Sequence, residues 1–365
     1  MKLFLLPILF ALFVVDADAQ ILEERLGPAP IAAVQDLGTI DNALSQPQAE
    51  AAVTVDIHSR YDVSLLYLGV YVPESSVTNG WSGSVATCNA DATASAYQDA
   101  TLERINVYRA LAGLPGNVAL FSGTTNQSGD QQAALMMVAN KALSHTPPVN
   151  WLCYTAAGAT AASNSNLTLG TGFNYNGPRA IAGYMDDSGG NNTAVGHRRW
   201  ILYPTQAHMT TGDVDANAGS AGYSSNALWV IGGAGARPST PNGIAWPPRG
   251  YVPYQLLPST SNRWSLSIQN ADFTNASVSM TRNGVALAMP AIDPFEFNGQ
   301  PNGSFIGDNT LVWEPTGVTY TKPTADVVYH VSVSGIAGSG VPTSVSYDVT
   351  VIDPNDEVFG DGLGG

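Results

Sequence analysis

Leu102-Glu103-Arg104-Ile105-Asn106-Val107-Tyr108-Arg109-Ala110 lies within residues 95–112, where apolar positions recur at helical steps. Tyr97, Thr101, Ile105, Tyr108 and Leu111 fall three or four residues apart, which puts them on one face of an amphipathic helix. Gly113 and Pro115 end it. A second helix is expected from about Ser128 or Asp130, both good caps. It runs through Ala133, the core pair Met136-Met137 and Leu143 to about His145, where Pro147-Pro148 stops it. A third begins at Pro178, a favoured first helical position, and carries Ile181, Tyr184 and Met185 inward. Gly-, Asn- and Ser-rich connections separate the helices.

Outward from this block the pattern changes on both sides. Residues 63–72, Val-Ser-Leu-Leu-Tyr-Leu-Gly-Val-Tyr-Val, are rich in β-formers and predict a strand within a leader segment spanning 20–94. On the other side, residues 233–258 are dense in Pro and Gly and read as a linker. Alternating strands follow at 264–268, 278–280, 327–333 and 345–351, with Asn283-Gly284 as a hairpin signal. Residues 259–354 are therefore expected to form an all-β, immunoglobulin-like sandwich, and 355–365 a Gly-rich tail.

The N-terminus carries Lys2, an apolar run over residues 3–15 broken by Pro7, and Ala17-Asp18-Ala19. That order of charge, apolar run and small-x-small site is a secretory signal peptide over 1–19, too short to span a bilayer. A secreted or extracytoplasmic protein beginning at Gln20 is the expectation. The net charge of −15, with 14 Lys and Arg, excludes nucleic acid as a partner. Two cysteines, Cys88 and Cys153, in an oxidising compartment predict one disulfide.

Signatures of common chemistries are missing: there is no His-Glu-x-x-His, nucleophile elbow, phosphate loop or dinucleotide fingerprint. What remains is His145, in Leu143-Ser144-His145-Thr146-Pro147-Pro148, and His197, in Val195-Gly196-His197-Arg198-Arg199-Trp200, with Asp186 and Asp187 upstream of the second. Two imidazoles and a carboxylate can hold a divalent metal such as zinc, or form an acid–base pair near neutral pH. The plainer reading has each histidine bonding a backbone carbonyl and locking an element end. Arg198 and Arg199 suit an anionic ligand less well than an anchoring role.

Taken in order, the run at 102–110, Leu143-Ser144-His145-Thr146-Pro147, Trp151-Leu152-Cys153-Tyr154, Ser165-Asn166-Leu167 and Gly196-His197-Arg198-Arg199-Trp200-Ile201-Leu202 resemble the CAP superfamily. These are the SCP-type domains of cysteine-rich secretory, antigen-five and pathogenesis-related proteins, and the last motif is similar to the bacterial branch. The resemblance covers residues 95–232. It implies an α+β fold, a helix–sheet–helix sandwich with a central antiparallel sheet, and a cleft with two histidines matching His145 and His197. It also implies two cleft glutamates. Ser165 stands at the first of these positions and Asp187 at the second, and a hydroxyl is a weaker ligand and no useful base at neutral pH.

The expected function is an extracellular binding or interaction module for an unidentified ligand or protein, with a cleft of His145, His197, Asp187 and Ser165 and no assigned catalytic residue. The alternative is a metal-assisted hydrolase of peptide or cell-wall material, in which His145, His197 and Asp187 hold the ion and bound water attacks.

Overall fold

The computed structural model describes residues 52–123, 125–171, 175–216, 222–288 and 308–356, together with the backbone of a short strand, β1 (Ile21–Glu23). The expected signal peptide, most of the leader before residue 52, and the tail beyond 356 lie outside the described residues. The described chain is α+β, with helices in its first half and several mixed and antiparallel sheets.

It opens with α1 (Arg60–Leu66), a π-helical turn (Tyr67–Tyr71) and α2 (Val72–Glu74). The strand expected over 63–72 is therefore helical. Val63, Leu66, Tyr67, Val70 and Tyr71 fall at helical steps against the core, and the Ser59 side chain accepts the Asp62 N–H as N-cap. Burial on one face outweighed the β-propensity of Val and Tyr. Then follow α3 (Ser95–Leu111), β2 (Ala119–Leu120), α4 (Thr125–Asn140), α5 (Ala156–Asn164), β3 (Ser165–Thr171), α6 (Gly177–Asp186), α7 (Gly196–Ile201), β4 (His208–Val214) and β5 (Tyr223–Trp229). The second expected helix ends at Asn140, so His145 sits in the loop beyond it. Among the described residues, the first sheet runs β1-β3-β5-β4-β2, antiparallel except that β2 is parallel to β4.

Alternation along these strands divides the core. Leu167, Leu169, Val214 and Ala227 face one apolar cluster with α4 and α5. Met209 and Leu228 face another with α3, α6 and α7. Neighbouring positions point to opposite faces of a strand, so the sheet lies between two helical layers. On the first face the backbone of α4 comes so close that a Cβ at Gly212 would meet the Asp130 carbonyl carbon at 2.1 Å.

Beyond β5 come β6 (Ile244–Trp246), β7 (Gly250–Pro253), a 3-10 turn (Tyr254–Leu256), β8 (Trp264–Ile268), β9 (Ser277–Arg282), β10 (Val285–Ala286), β11 (Asn309–Trp313), β12 (Val327–Ser334) and β13 (Ser344–Ile352). They build sheets of order β10-β9-β12-β13-β7 and β11-β8-β6. Asn283 and Gly284 both take positive φ (48° and 81°) in a two-residue hairpin between β9 and β10, as that dipeptide favours.

The segment 233–258 differs from a free linker. β6 pairs with β8, β7 pairs in parallel with β13, and Trp246 is buried. One apolar cluster runs from α1, α3, α6 and α7 through Trp246 into Trp264, Trp313, Tyr329 and Val331. Prolines there shape edges and turns of a packed structure. The disulfide between Cys88 and Cys153 is present, with Cα atoms 5.1 Å apart.

Candidate functional site

Asp187 follows the last residue of α6 in the left-handed region (φ 56°), which turns its carboxylate back toward α7. Its Oδ1 accepts the His197 Nδ1–H at 2.8 Å, and its Oδ2 accepts the Arg198 backbone N–H at 3.2 Å. The imidazole stacks on Tyr184, centroids 5.1 Å apart. Tyr184 in turn donates to Asn226 Oδ1 on β5 at 2.9 Å. The ring is therefore fixed on both an edge and a face, and Asp187 orients His197 as expected of a carboxylate behind an imidazole.

His145 is held elsewhere, its Nδ1–H donating to the Ala162 carbonyl near the end of α5 at 2.7 Å. The two histidine segments nevertheless reach the same junction. The His197 carbonyl accepts from Asn166 Nδ2 at 3.2 Å, and Asn166 is the second residue of β3, four positions beyond Ala162.

Ser165 does not stand open in a cleft. It begins β3 on the face covered by α4, with Oγ 2.9 Å from Asp130 Oδ1 and 2.7 Å from the Ala161 carbonyl. Thr210 donates to Asp130 Oδ2 at 2.6 Å. Burial holds the Asp130 carboxyl well above the ordinary carboxylate range, against the pull of bonds from Thr210, Ser165 and the Trp229 backbone. A carboxyl is thus present beside Ser165, but α4 supplies it from within the core. The sequence carried a signal for this: Asp130, Ala133, Ala134 and Met137 share one helical face, and the last three are fully buried.

The residues do not fit the expected metal. Among the described residues no three His, Cys, Asp or Glu side chains form a metal-holding group. His145, His197 and Asp187 fail for a visible reason. The Asp187 carboxylate is already engaged by His197 and Arg198, and the two imidazoles are held by different partners, His197 by Asp187 and His145 by the Ala162 carbonyl. All four expected cleft residues are nearly closed to solvent: Ser165 and Asp187 at 0%, His197 at 2% and His145 at 8%.

Arg198 and Arg199 anchor the framework. Arg198 donates to the carbonyls of Met185, Asp186 and Arg263, and Arg199 to that of Asp308. Arg263 reciprocates by donating to the Asp187 carbonyl at 2.7 Å. The Asp186 carboxylate accepts the N–H groups of Thr260 and Ser261. The two adjacent carboxylates thus divide their roles, one toward His197 and one toward the C-terminal sheets.

Two further polar clusters escaped sequence reasoning. On the α6 face of the sheet, Asp213 accepts from Asn226, Thr211 and the Gly177 N–H, and burial pushes its carboxyl up to about 6. On β12 the exposed His330 donates from Nδ1 to Asp348 at 2.6 Å, with Nε2 3.3 Å from Ser332 Oγ. This is the order of a nucleophilic relay, but β12 is paired on both sides, so its amides serve the ladders and cannot line an oxyanion hole.

No protein-family model matches the chain, and no curated protein matches it.

Proposed function

We propose that the chain is a secreted CAP-superfamily protein that acts as an extracellular binding or interaction module, with an immunoglobulin-like sandwich packed against its CAP domain. The observation that carries this reading is the closure of the expected cleft residues. A general acid, base or metal centre must reach its substrate, and here each of the four is buried and bonded into the framework. The His–Asp and Ser–Asp pairs then serve to lock α4, α5, α6 and α7 around the sheet.

CAP membership is supported by the helix–sheet–helix layering and by the tie of both histidine segments to the α5–β3 junction. The sandwich is supported by the two C-terminal sheets and their shared apolar core. A disulfide suits an oxidising compartment. No helix among the described residues is long and apolar enough to cross a membrane.

One observation favours the hydrolase reading: Asp187 orients His197 as a carboxylate orients a general base. The two readings separate in a direct assay of the secreted chain against peptide and cell-wall substrates. Binding alone predicts no turnover above that of a His145→Ala/His197→Ala double variant. Hydrolysis by the native chain that the double variant loses would contradict it.

A further inference from the structure

A cavity of about 820 Å³ opens between the helical segment before α3, α3 itself and the start of α6. None of His145, His197, Asp187 or Ser165 lines it. Its wall holds Glu74, which is 3% exposed. Arg104 donates from Nε to Glu74 Oε2 and from Nη2 to the Tyr71 carbonyl at 2.6 Å, while its guanidinium lies over the Tyr71 ring, 3.5 Å from the centroid. Glu74 Oε1 has no hydrogen-bond partner. Burial pushes this carboxyl up to about 8, with Arg104 pulling it only partly back. A buried carboxyl oxygen without a donor is unfavourable, and Glu74 is one of the side chains that line the cavity.

We propose that this cavity is a binding site for a neutral, hydroxyl-rich ligand, a small sugar. Arg104 is already engaged by Glu74, the Tyr71 carbonyl and Ser75 Oγ, so it is not free to hold an anion, and Arg179 and Asp215 on the same wall offset each other in charge. Ser75 and Thr78 add exposed hydroxyls and Asn79 an amide, giving donors and acceptors in mixture. Val77, Pro178 and Ala182 add apolar surface for the C–H faces of a pyranose. The volume falls in the range of small-molecule sites.

Saturation-transfer NMR on the full secreted chain, with cellobiose, maltose and N,N′-diacetylchitobiose as probes, tests this. Transfer to at least one sugar at millimolar concentration is expected. It should be lost in Ala182→Trp, where a partly exposed α6 position would fill the cavity. Glu74→Gln should weaken binding about fivefold, the worth of one hydrogen bond. Thermal melts establish that each variant is folded, and if Glu74→Gln does not fold, Ala182→Trp decides alone. Absence of transfer from all three sugars, or transfer unchanged in Ala182→Trp, would overturn the proposal. The test does not involve the histidines, so its failure leaves the reading above standing.

Discussion

Asp187 combines three tasks in one residue: it caps α6 in a left-handed conformation, orients His197 and accepts the backbone N–H of Arg198, the third residue of α7. The sequence marked Asp187 as a cleft acid, and the structure does place it beside His197. What the sequence could not mark is that both carboxylate oxygens are already committed, because the bond to Arg198 comes from a backbone N–H that has no residue-type signature. Asp187→Ala leaves the His197 Nδ1–H without its acceptor in a buried site and puts a Cβ-bearing residue with no local hydrogen bond at positive φ. A loss of about 2–4 kcal/mol is expected in denaturant melts. Asp187→Asn, which tolerates the left-handed region and still accepts a hydrogen bond, should cost less than half of that.

At the scale of elements, α3, α6 and the strands β8, β9, β12 and β13 were legible because one periodicity dominated each, whereas β11 was not marked. Tyr97, Ile105 and Tyr108 mark α3, and the alternation of Val345, Tyr347, Val349 and Val351 marks β13. Residues 63–72 were not, since β-branched and aromatic residues there sit at helical spacing and tertiary burial decided between the two. α5 was hidden by its Ala, Gly and Ser composition, and β3, β4 and β5 by their Ser, Thr and Asn, which bond across the buried faces of the first sheet. Those small residues let α4 approach the sheet. Gly212→Ala tests that contact: its Cβ would overlap the α4 backbone at Asp130, with no flexible side chain to yield. Destabilisation of about 3 kcal/mol or more is predicted by chemical denaturation; a change below 1 kcal/mol would show that α4 can withdraw freely.

For the whole molecule, the continuous core joins what composition divides at 233–258. It also buries three acids whose carboxyls are raised: Glu74 to about 8, Asp213 to about 6 and Asp130 well above its ordinary value, all chiefly by desolvation. In each case the folded chain binds the proton more tightly than the unfolded chain. Stability from these groups is therefore present at low pH and declines as pH rises from the unfolded carboxyl range toward 8. Asp353, held below its usual value beside Lys322, acts in the opposite sense only as pH falls through the carboxyl range. Thermal melts should accordingly show a lower Tm at pH 8 than at pH 5, and Asp130→Asn should flatten the slope. A Tm that rises over that interval would show that these carboxyls ionise in the folded chain without cost.

His145, His197, Asp187 and Ser165 are buried and bonded into a closed polar framework. Zinc titration calorimetry on the native chain, beside a His145→Ala/His197→Ala double variant, tests it most directly. The account predicts no zinc binding at micromolar concentration in either protein. Tight binding by the native chain that is lost in the double variant would contradict it, because both imidazoles would then converge on one ion that the buried arrangement does not accommodate.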